Sequence, residues 1–160
     1  MYDVIIVGAG PGGIFASYEL IKNAPNLKVA VFEAGNSLDK RSCPIDGKKI
    51  KSCIKCKTCS IMSGFGGAGA SSDGKHNITN DCGGTLFEHI AKKEALELMN
   101  YVDELNMEYG GKGTKMYSTA GTHLKKVCLQ NKLNLLDAQV RHLGTDINYV
   151  VLENIFNFLK

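Results

Sequence analysis

The sequence is poor in arginine and has no long apolar run. Arg41 and Arg141 are the only arginines, so lysine carries almost all of the positive charge, and the formal net charge is a modest +3. No basic stripe interleaved with aromatic residues is present, which argues against a nucleic-acid partner. No apolar run reaches the roughly 18 residues that a membrane-spanning helix needs. The sequence therefore predicts neither a nucleic-acid partner nor a membrane partner.

The N-terminus has no basic segment of the kind that opens a secretory signal. It carries Asp3 and has the pattern of a strand, so we expect a cytoplasmic protein. A hydrophobic content of 44% and a charged content of 22% over 160 residues are ordinary for one globular domain. Six cysteines in such a chain favour ligand or redox roles over structural disulfides.

A complete dinucleotide-binding fingerprint occupies the first 33 residues. The apolar run at 2–7 leads into Gly8-Ala9-Gly10-Pro11-Gly12-Gly13, which has the pattern G-x-G-x-x-G, and an apolar helical pattern follows. A second strand is predicted over 28–32, and Glu33 stands at its end, twenty residues beyond Gly13. A glycine-rich turn in another kind of α/β protein would explain the glycines but would not explain Glu33 at that spacing.

Each part of the fingerprint has a physical role. Gly8 permits a tight turn, Gly10 lets the backbone approach a pyrophosphate, and Gly13 lets the helix pack closely on the strand. The N-terminus of the helix faces the negative phosphates. Glu33 can accept hydrogen bonds from a ribose, and its charge would repel a 2′-phosphate.

The predicted fold class is α/β, with a Rossmann-like βαβ unit, an inserted loop region rich in cysteine and glycine, and additional helices. A doubly wound sheet needs more than two strong strands, so we expect an incomplete domain. After the βαβ unit, the sequence predicts a cysteine-rich insertion over 34–62 and a glycine-rich loop over 63–80. A helix is predicted to start at a capping box at 85–88 and to end at Gly110-Gly111. The remaining predicted elements are a helix near 122–131, a strand at 133–140, and a helix from Thr145 or Asp146.

The glycine-rich loop contains the segment from Ser63 to Lys75. Its consecutive small residues leave backbone N–H groups open to an anion or to a flat ring system. A flexible linker is the plain alternative. The embedded Phe65 and the turn at Asp73-Gly74-Lys75 argue against a linker, so we expect this loop to contact a cofactor.

At this point the sequence resembles the FAD-dependent dehydrogenases, which belong to the wider two-domain FAD and NAD(P) oxidoreductases. The resemblance runs through residues 2–80 and returns at 140–146. It is carried by VGAGPGGIFASYEL, by Glu33, by Arg41-Ser42-Cys43-Pro44, by the more specific CIKCKTCSIMSGFGGAGASSDGK, and by VRHLGTD.

The resemblance implies an FAD site and an enzyme that exchanges hydride, with NAD(P)H as co-substrate. It implies that Glu33 holds the adenosine ribose and that Arg41 lies near a phosphate. Residues 1–85 would be the N-terminal part of the FAD-binding domain, and 86–160 a mostly helical segment at the start of the substrate domain. The implied pyrophosphate contacts are Gly8, Gly10, Pro11, Gly12 and Gly13, and the implied contacts toward the flavin are Gly66, Gly67, Ala68, Asp73, Gly74 and Lys75.

Two departures from these flavoproteins are visible. Ser71 stands where an aromatic residue is expected, and the glycine-aspartate segment that completes the FAD site near their C-terminus is not found. We therefore expect the chain to be the N-terminal portion of a longer protein, with the remainder of the same polypeptide as a partner.

Four cysteines, Cys43, Cys53, Cys56 and Cys59, lie within seventeen residues, and the last three have the spacing C-x₂-C-x₂-C. That spacing matches part of a ferredoxin-type run, so an Fe–S cluster is one interpretation. Four thiolates could equally hold a tetrahedral Zn²⁺. Redox-active thiols, a single disulfide or a surface loop of reduced thiols are the remaining alternatives.

The sequence names no catalytic residue. The four histidines are scattered, and surface or packing roles are the ordinary expectation for each; they are His76, His89, His123 and His142, of which His142 is the strongest candidate. A competing hypothesis makes the chain a metal-binding (Zn or Fe–S) regulatory or structural module on a Rossmann-like scaffold.

Overall fold

The computed structural model describes residues 1–160, which divide into two compact units. The first unit contains Met1–Ser72 and Leu152–Lys160, and the second contains Asp73–Val151. Parallel and antiparallel sheets are both present, so the chain is mixed α/β. None of its helices combines the length and apolar character that a membrane crossing requires. The predicted functional division at residue 85 and the cytoplasmic location stay predictions.

The first unit is built on the predicted βαβ arrangement. Strand β1 spans Val4–Val7, helix α1 spans Pro11–Asn23, and strand β2 spans Val29–Phe32. The strands are parallel, with Val4 opposite Val29 and Val7 opposite Phe32. Pro11 lies in the first turn of α1, where its fixed φ suits a helix and its missing N–H costs nothing.

One face of this sheet packs on α1, while the other is bare. Ile14 and Tyr18 of α1 are buried. On the outer face Ile5, Val7 and Phe32 are exposed, and the exposed fraction of Val7 is 87%. Parallel sheets are ordinarily covered on both faces, so a bare apolar face of this kind is unusual.

The end of the last helix completes the first unit. Helix α4 spans Thr145–Leu159. Its last turns bring Phe156 against Phe65, with ring centroids 4.8 Å apart, and Phe158 against Tyr18 at 5.2 Å. Ile155, the residue before Phe156, is buried. The glycine-rich segment thus contributes a core residue, Phe65, to the same unit as the fingerprint.

The second unit is organised around a three-stranded antiparallel sheet. Strand β3 spans Lys75–Ile78, β4 spans Met116–Ser118 and β5 spans Gln139–His142, in the order β3-β5-β4. Helix α2 spans Lys92–Asn106, and helix α3 spans Leu124–Gln130. Its buried apolar residues are Ile78, Ala95, Leu105, Leu143 and Val151, and Asp103 and Asn106 are buried as well.

The helix predicted to start at residue 85 starts later. Leu86–Glu88 forms only a short 3₁₀ turn, and Thr85 makes no side-chain capping bond. The extended backbone of Ala91, with φ −59° and ψ 143°, separates that turn from α2. The predicted end at Gly110-Gly111 lies closer to the observed one, because α2 is followed by a wide turn at Met107–Gly111 in which Gly110 has a φ of 135°.

The strand predicted at 133–140 is also shifted, and β5 begins only at Gln139. The N–H of Leu133 donates to the carbonyl of Cys128, so this residue closes the end of α3 instead of joining the sheet. Leu136 in turn accepts a hydrogen bond from the Thr119 hydroxyl. The predicted helices near 122–131 and from Thr145 are confirmed. Strands β3 and β4 were not predicted.

Candidate nucleotide-binding site

The turn between β1 and α1 is shaped by two glycines. Gly8 has a φ of 99°, which is unfavourable for any residue with a side chain. A Cβ on Gly13 would lie 1.9 Å from the carbonyl oxygen of Gly8 and 3.3 Å from Cγ2 of Ile6. The close contact of α1 with the end of β1 therefore depends on the missing side chain at residue 13.

The other two fingerprint glycines border open space. A Cβ on Gly10 or on Gly12 would meet nothing within 4 Å. Gly10 is the N-cap of α1 and supplies no side-chain hydrogen bond, and the first turn contains no acidic residue. Helix N–H groups that lack capping partners and point at open space are suited to an anionic group.

Glu33 lies directly after β2 and binds three backbone N–H groups. One carboxylate oxygen accepts from Ala9 at 2.7 Å, and the other accepts from Gly35 and Gly64, each at 2.8 Å. These bonds, with that from Ala9 first, hold the pKa of the Glu33 carboxyl below its ordinary value of 4.5. Glu33 is therefore ionised at neutral pH, and it ties the fingerprint turn to the segment at residues 63–65.

A cleft of about 220 Å³ opens beside Glu33. The fingerprint and α1 contribute Ala9, Gly13, Ile14 and Ser17 to its walls. The other side combines apolar residues with two charged residues, Glu33 and Lys160, and a few small polar ones; its lining also includes Val31, Asn36, Ser37, Phe65, Phe156 and Leu159. A ligand site of this volume accommodates a fragment, such as one half of a dinucleotide, rather than the whole molecule.

The second glycine segment packs on the first. The N–H of Gly66 donates to the carbonyl of Ala9 at 2.8 Å, and a Cβ on Gly67 would lie 3.3 Å from the Cα of Gly10. The 3₁₀ turn at Gly67–Ser71, which includes Ala68, follows directly. The two glycine motifs, far apart in sequence, thus meet at one place.

Arg41 fixes the entry into that segment. Its guanidinium donates to the carbonyls of Ser60 at 2.8 Å, Ile61 at 2.6 Å and Phe65 at 2.8 Å. A guanidinium has five N–H donors, so some capacity for another acceptor is left. The observed contacts give Arg41 a structural role, and the predicted phosphate contact stays a prediction.

The remaining residues predicted to approach the flavin lie in the second unit. Asp73 and Gly74 accept backbone hydrogen bonds from Gly144 and Leu143, at 2.9 and 3.0 Å. Lys75 is opposite His142 in the β3–β5 pairing. The two segments DGK and VRHLGTD, which share the family resemblance, are therefore neighbours.

Of the four histidines, His76 has the most perturbed environment. It is partly buried and lies opposite Arg141 on β5. Burial lowers the pKa of His76 below its ordinary value of 6.5; Asp103 raises it and Arg141 lowers it further. Arg141 and Asp103 are joined by two hydrogen bonds of 2.7 and 2.9 Å. His142, the strongest candidate from the sequence, has its Nε2 3.4 Å from a carboxylate oxygen of Asp73.

The side chains of the cysteine run are not arranged as a metal-binding group. All six cysteines are free thiols, and Cys53 and Cys56 are exposed while Cys43 and Cys59 are partly buried. No group of three or more His, Cys, Asp or Glu side chains is arranged to hold a metal ion. The Fe–S and Zn²⁺ interpretations of the run therefore receive no support from the structure.

Some residues of the cleft could not be found from the sequence. Phe156, Leu159 and Lys160 line it because residues 152–160 belong to the first unit. The pattern that predicted a helix from Thr145 or Asp146 carried no sign of what the end of that helix would contact. Ser17 lies in the middle of α1, is 2% exposed and donates to the carbonyl of Gly13.

Comparison with known proteins places the similarity in the fingerprint region. Residues 1–40 match the model of the Thi4 family. Thiamine thiazole synthase of Eremothecium gossypii is 56% identical over 32 residues, which are 20% of this chain and 10% of that protein. The Candida albicans enzyme of the same name is 51% identical over 35 residues, 22% of this chain and 10% of the relative.

The Yarrowia lipolytica enzyme is 54% identical over 33 residues, 21% of this chain and 10% of the relative. The matched stretches are thus about a tenth of the length of these relatives. No solved structure matches the chain. The N-terminal 40 residues, which hold the βαβ unit and Glu33, are similar to the Thi4 family, within the FAD- and NAD(P)-binding Rossmann-type superfamily.

Proposed function

We propose that the chain is the adenosine-binding part of an FAD-dependent oxidoreductase. The observation that carries the proposal is Glu33, an ionised carboxylate at the end of β2 that borders a cleft beside the glycine turn. In a βαβ unit this is where the ribose of a dinucleotide meets the protein. The similarity of residues 1–40 to the Thi4 family supports the same assignment.

The residues present fit the adenosine diphosphate half of FAD. The open space at Gly10 and Gly12 leaves room for a pyrophosphate at the uncapped start of α1. A carboxylate has about four acceptor positions, and three of those on Glu33 are taken, which leaves one for a ribose hydroxyl. The apolar wall that includes Val31 and Leu159 suits the face of a base.

FAD, when bound, supplies the capacity to accept and release a hydride, and NAD(P)H is the donor we propose. The chain's own contribution is binding and orientation. Glu33 and Arg41 together hold the second glycine segment against the first, so the backbone groups that would face the cofactor are fixed before it binds. The flavin side would be approached by Gly66, Gly67, Ala68 and the DGK segment.

Thiazole synthesis is not carried over from the relatives. The family match ends at residue 40, and that part contains β1, α1, β2 and Glu33, which bind a nucleotide in this fold whatever reaction follows. The shared segment therefore supports the cofactor and leaves the substrate open.

We further propose that the chain works as part of a longer polypeptide. The bare face formed by Ile5, Val7 and Phe32 supports this, because a parallel sheet is stable when both faces are covered. The relatives, of which the matched stretch is only a tenth, are also much longer than that stretch.

The test is a titration of the 160-residue chain with FAD, followed by flavin fluorescence, with riboflavin as the matched control. Both molecules contain the flavin ring system, and only FAD has the adenosine diphosphate. We expect the flavin fluorescence of FAD to change in a saturable way as the chain is added, and that of riboflavin to stay unchanged. Equal binding of the two, or binding of neither, would contradict an adenosine-binding site.

A further inference from the structure

The cysteine loop is the motif that the proposed function leaves unused. It runs from Cys43 to Cys59 and contains five lysines but, apart from Asp46, no acidic residue. Cys53 and Cys56 are the two exposed thiols of the loop. They are separated by two residues, the C-x-x-C spacing that allows two sulfurs to bond to each other.

Both ends of the loop are held in place. Arg41, two residues before Cys43, donates to the carbonyl of Ser60, the residue after Cys59. Inside the loop, the carboxylate of Asp46 accepts from the N–H groups of residues 48, 49 and 50. The exposed C-x-x-C pair thus projects from an anchored stem.

The sulfur of Cys53 contacts the backbone of Lys55, which lies between the two cysteines. The backbone N–H of Lys55 donates to Sγ of Cys53 at 3.4 Å. Lys55 has a φ of 55°, which turns the chain back between the two cysteines. The Cys53 sulfur is thereby held at the backbone N–H of the residue that directly precedes Cys56. An N–H donor aimed at sulfur also suits a thiolate acceptor.

We propose that Cys53 and Cys56 form a thiol–disulfide exchange site for small anionic disulfides, with Cys53 as the attacking thiol. The lysines at 48, 49, 51, 55 and 57 give the loop the positive charge that attracts such a molecule. The proposal is independent of FAD and stands whether or not the nucleotide binds.

The exchange balances in two steps. The Cys53 thiolate attacks one sulfur of the small disulfide, which breaks its S–S bond, forms a mixed disulfide and releases one thiolate. Cys56, after losing its proton to solvent, then attacks the Cys53 sulfur and releases the second thiolate. The protein dithiol is oxidised to a disulfide by two electrons, and the small disulfide is reduced to two thiols.

The test uses oxidised glutathione as the probe and trypsin to read the linkage. Lysines at 51, 55 and 57 and Arg41 divide the loop, so that each cysteine falls in its own peptide. Cys53 is in SCIK, Cys56 in CK, Cys43 in SCPIDGK and Cys59 in the peptide that starts at Thr58. The reduced chain is incubated with glutathione redox buffers, blocked with an alkylating reagent, digested and analysed by mass spectrometry.

We expect SCIK joined to CK as the main oxidised product, and its yield should follow the glutathione ratio. Cys56→Ser should trap glutathione on Cys53, whereas Cys53→Ser should lower the exchange rate by at least about tenfold. Cys82→Ser, outside the loop, is the control and should change neither. A main linkage that includes Cys43 or Cys59, or no disulfide at any glutathione ratio, would overturn the proposal.

Discussion

Replacing Gly13 with alanine tests how closely α1 must approach β1. The new Cβ would lie 1.9 Å from the Gly8 carbonyl oxygen, whereas ordinary contact begins near 3.4 Å, so helix and turn must separate by more than an ångström. The Gly8 carbonyl oxygen is a backbone atom, so it cannot move aside as the end of a flexible side chain could. Overpacking of this kind costs about 1–3 kcal/mol of the free energy of unfolding.

Gly12→Ala is the matched control, because it is the same change one residue earlier in the same helix. Its Cβ would meet nothing within 4 Å. Both variants gain the helix propensity of alanine over glycine, about 1 kcal/mol. The difference between them therefore isolates the clash, and we expect Gly13→Ala to be less stable than Gly12→Ala by about 1–3 kcal/mol.

Urea denaturation followed by circular dichroism measures this difference in stability. A titration with FAD then separates the packing role of Gly13 from the role of Gly12 in leaving space for the pyrophosphate. Gly12→Ala should be as stable as the parent chain or more so, yet bind FAD more weakly, because its methyl group enters the space left for the pyrophosphate. Equal stability of the two variants would refute the packing argument. Unchanged FAD binding by Gly12→Ala would refute the role of that open space.

Three further predictions concern charged groups. Asp103→Ala should cost about 3–5 kcal/mol in urea denaturation, because it leaves the nearly buried Arg141 without its carboxylate partner; a loss below about 1 kcal/mol would contradict a tight pair. Because the pKa of Glu33 is lowered in the folded chain, the folding stability that its carboxylate contributes is fully present above pH 4.5 and is lost as the pH falls through the folded-state pKa. Glu33→Gln should therefore flatten the pH dependence of stability in that acidic range. The pKa of His76 is also lowered, so the imidazole of His76 is protonated at a higher pH in the unfolded chain than in the folded chain. Folding stability should therefore decline as the pH drops below 6.5, and His76→Gln should remove that decline.

Local patterns predicted the βαβ part of the first unit. An apolar β-branched run, a glycine turn and a helical repeat are each written within a few neighbouring residues, so β1, α1 and β2 could be read from them. The spacing to Glu33 also predicted where its carboxylate would lie. Its three bonds to the backbone were not foreseen, since they depend on Gly64, a partner 31 residues away.

The second unit was harder to predict because its strands are short and polar. Strand β3 reads KHNI and carries a single buried apolar residue, Ile78, so no alternation reveals it. The capping box at Thr85 was misleading because the extended Ala91 ends that turn before a helix forms. Residues 133–138 looked like a strand, but Leu133 instead caps α3.

The spacing of the cysteines could not decide what the cysteine run binds or does. C-x₂-C-x₂-C is compatible with a metal, a cluster or a dithiol, and only the arrangement of the sulfurs can separate these alternatives. In the structure Cys53 turns toward Lys55, and no metal-binding group forms. The nucleotide assignment, by contrast, rests on several independent features that meet at Glu33.

The most direct test of the central claim compares ADP with its 2′-phosphorylated analogue by isothermal titration calorimetry. The comparison changes the ligand and leaves the structural bonds of Glu33 intact. If Glu33 faces the ribose, ADP should bind at least about tenfold more tightly, because a 2′-phosphate would meet an ionised carboxylate. Equal or tighter binding of the 2′-phosphate analogue, or no binding of ADP at all, would contradict the account.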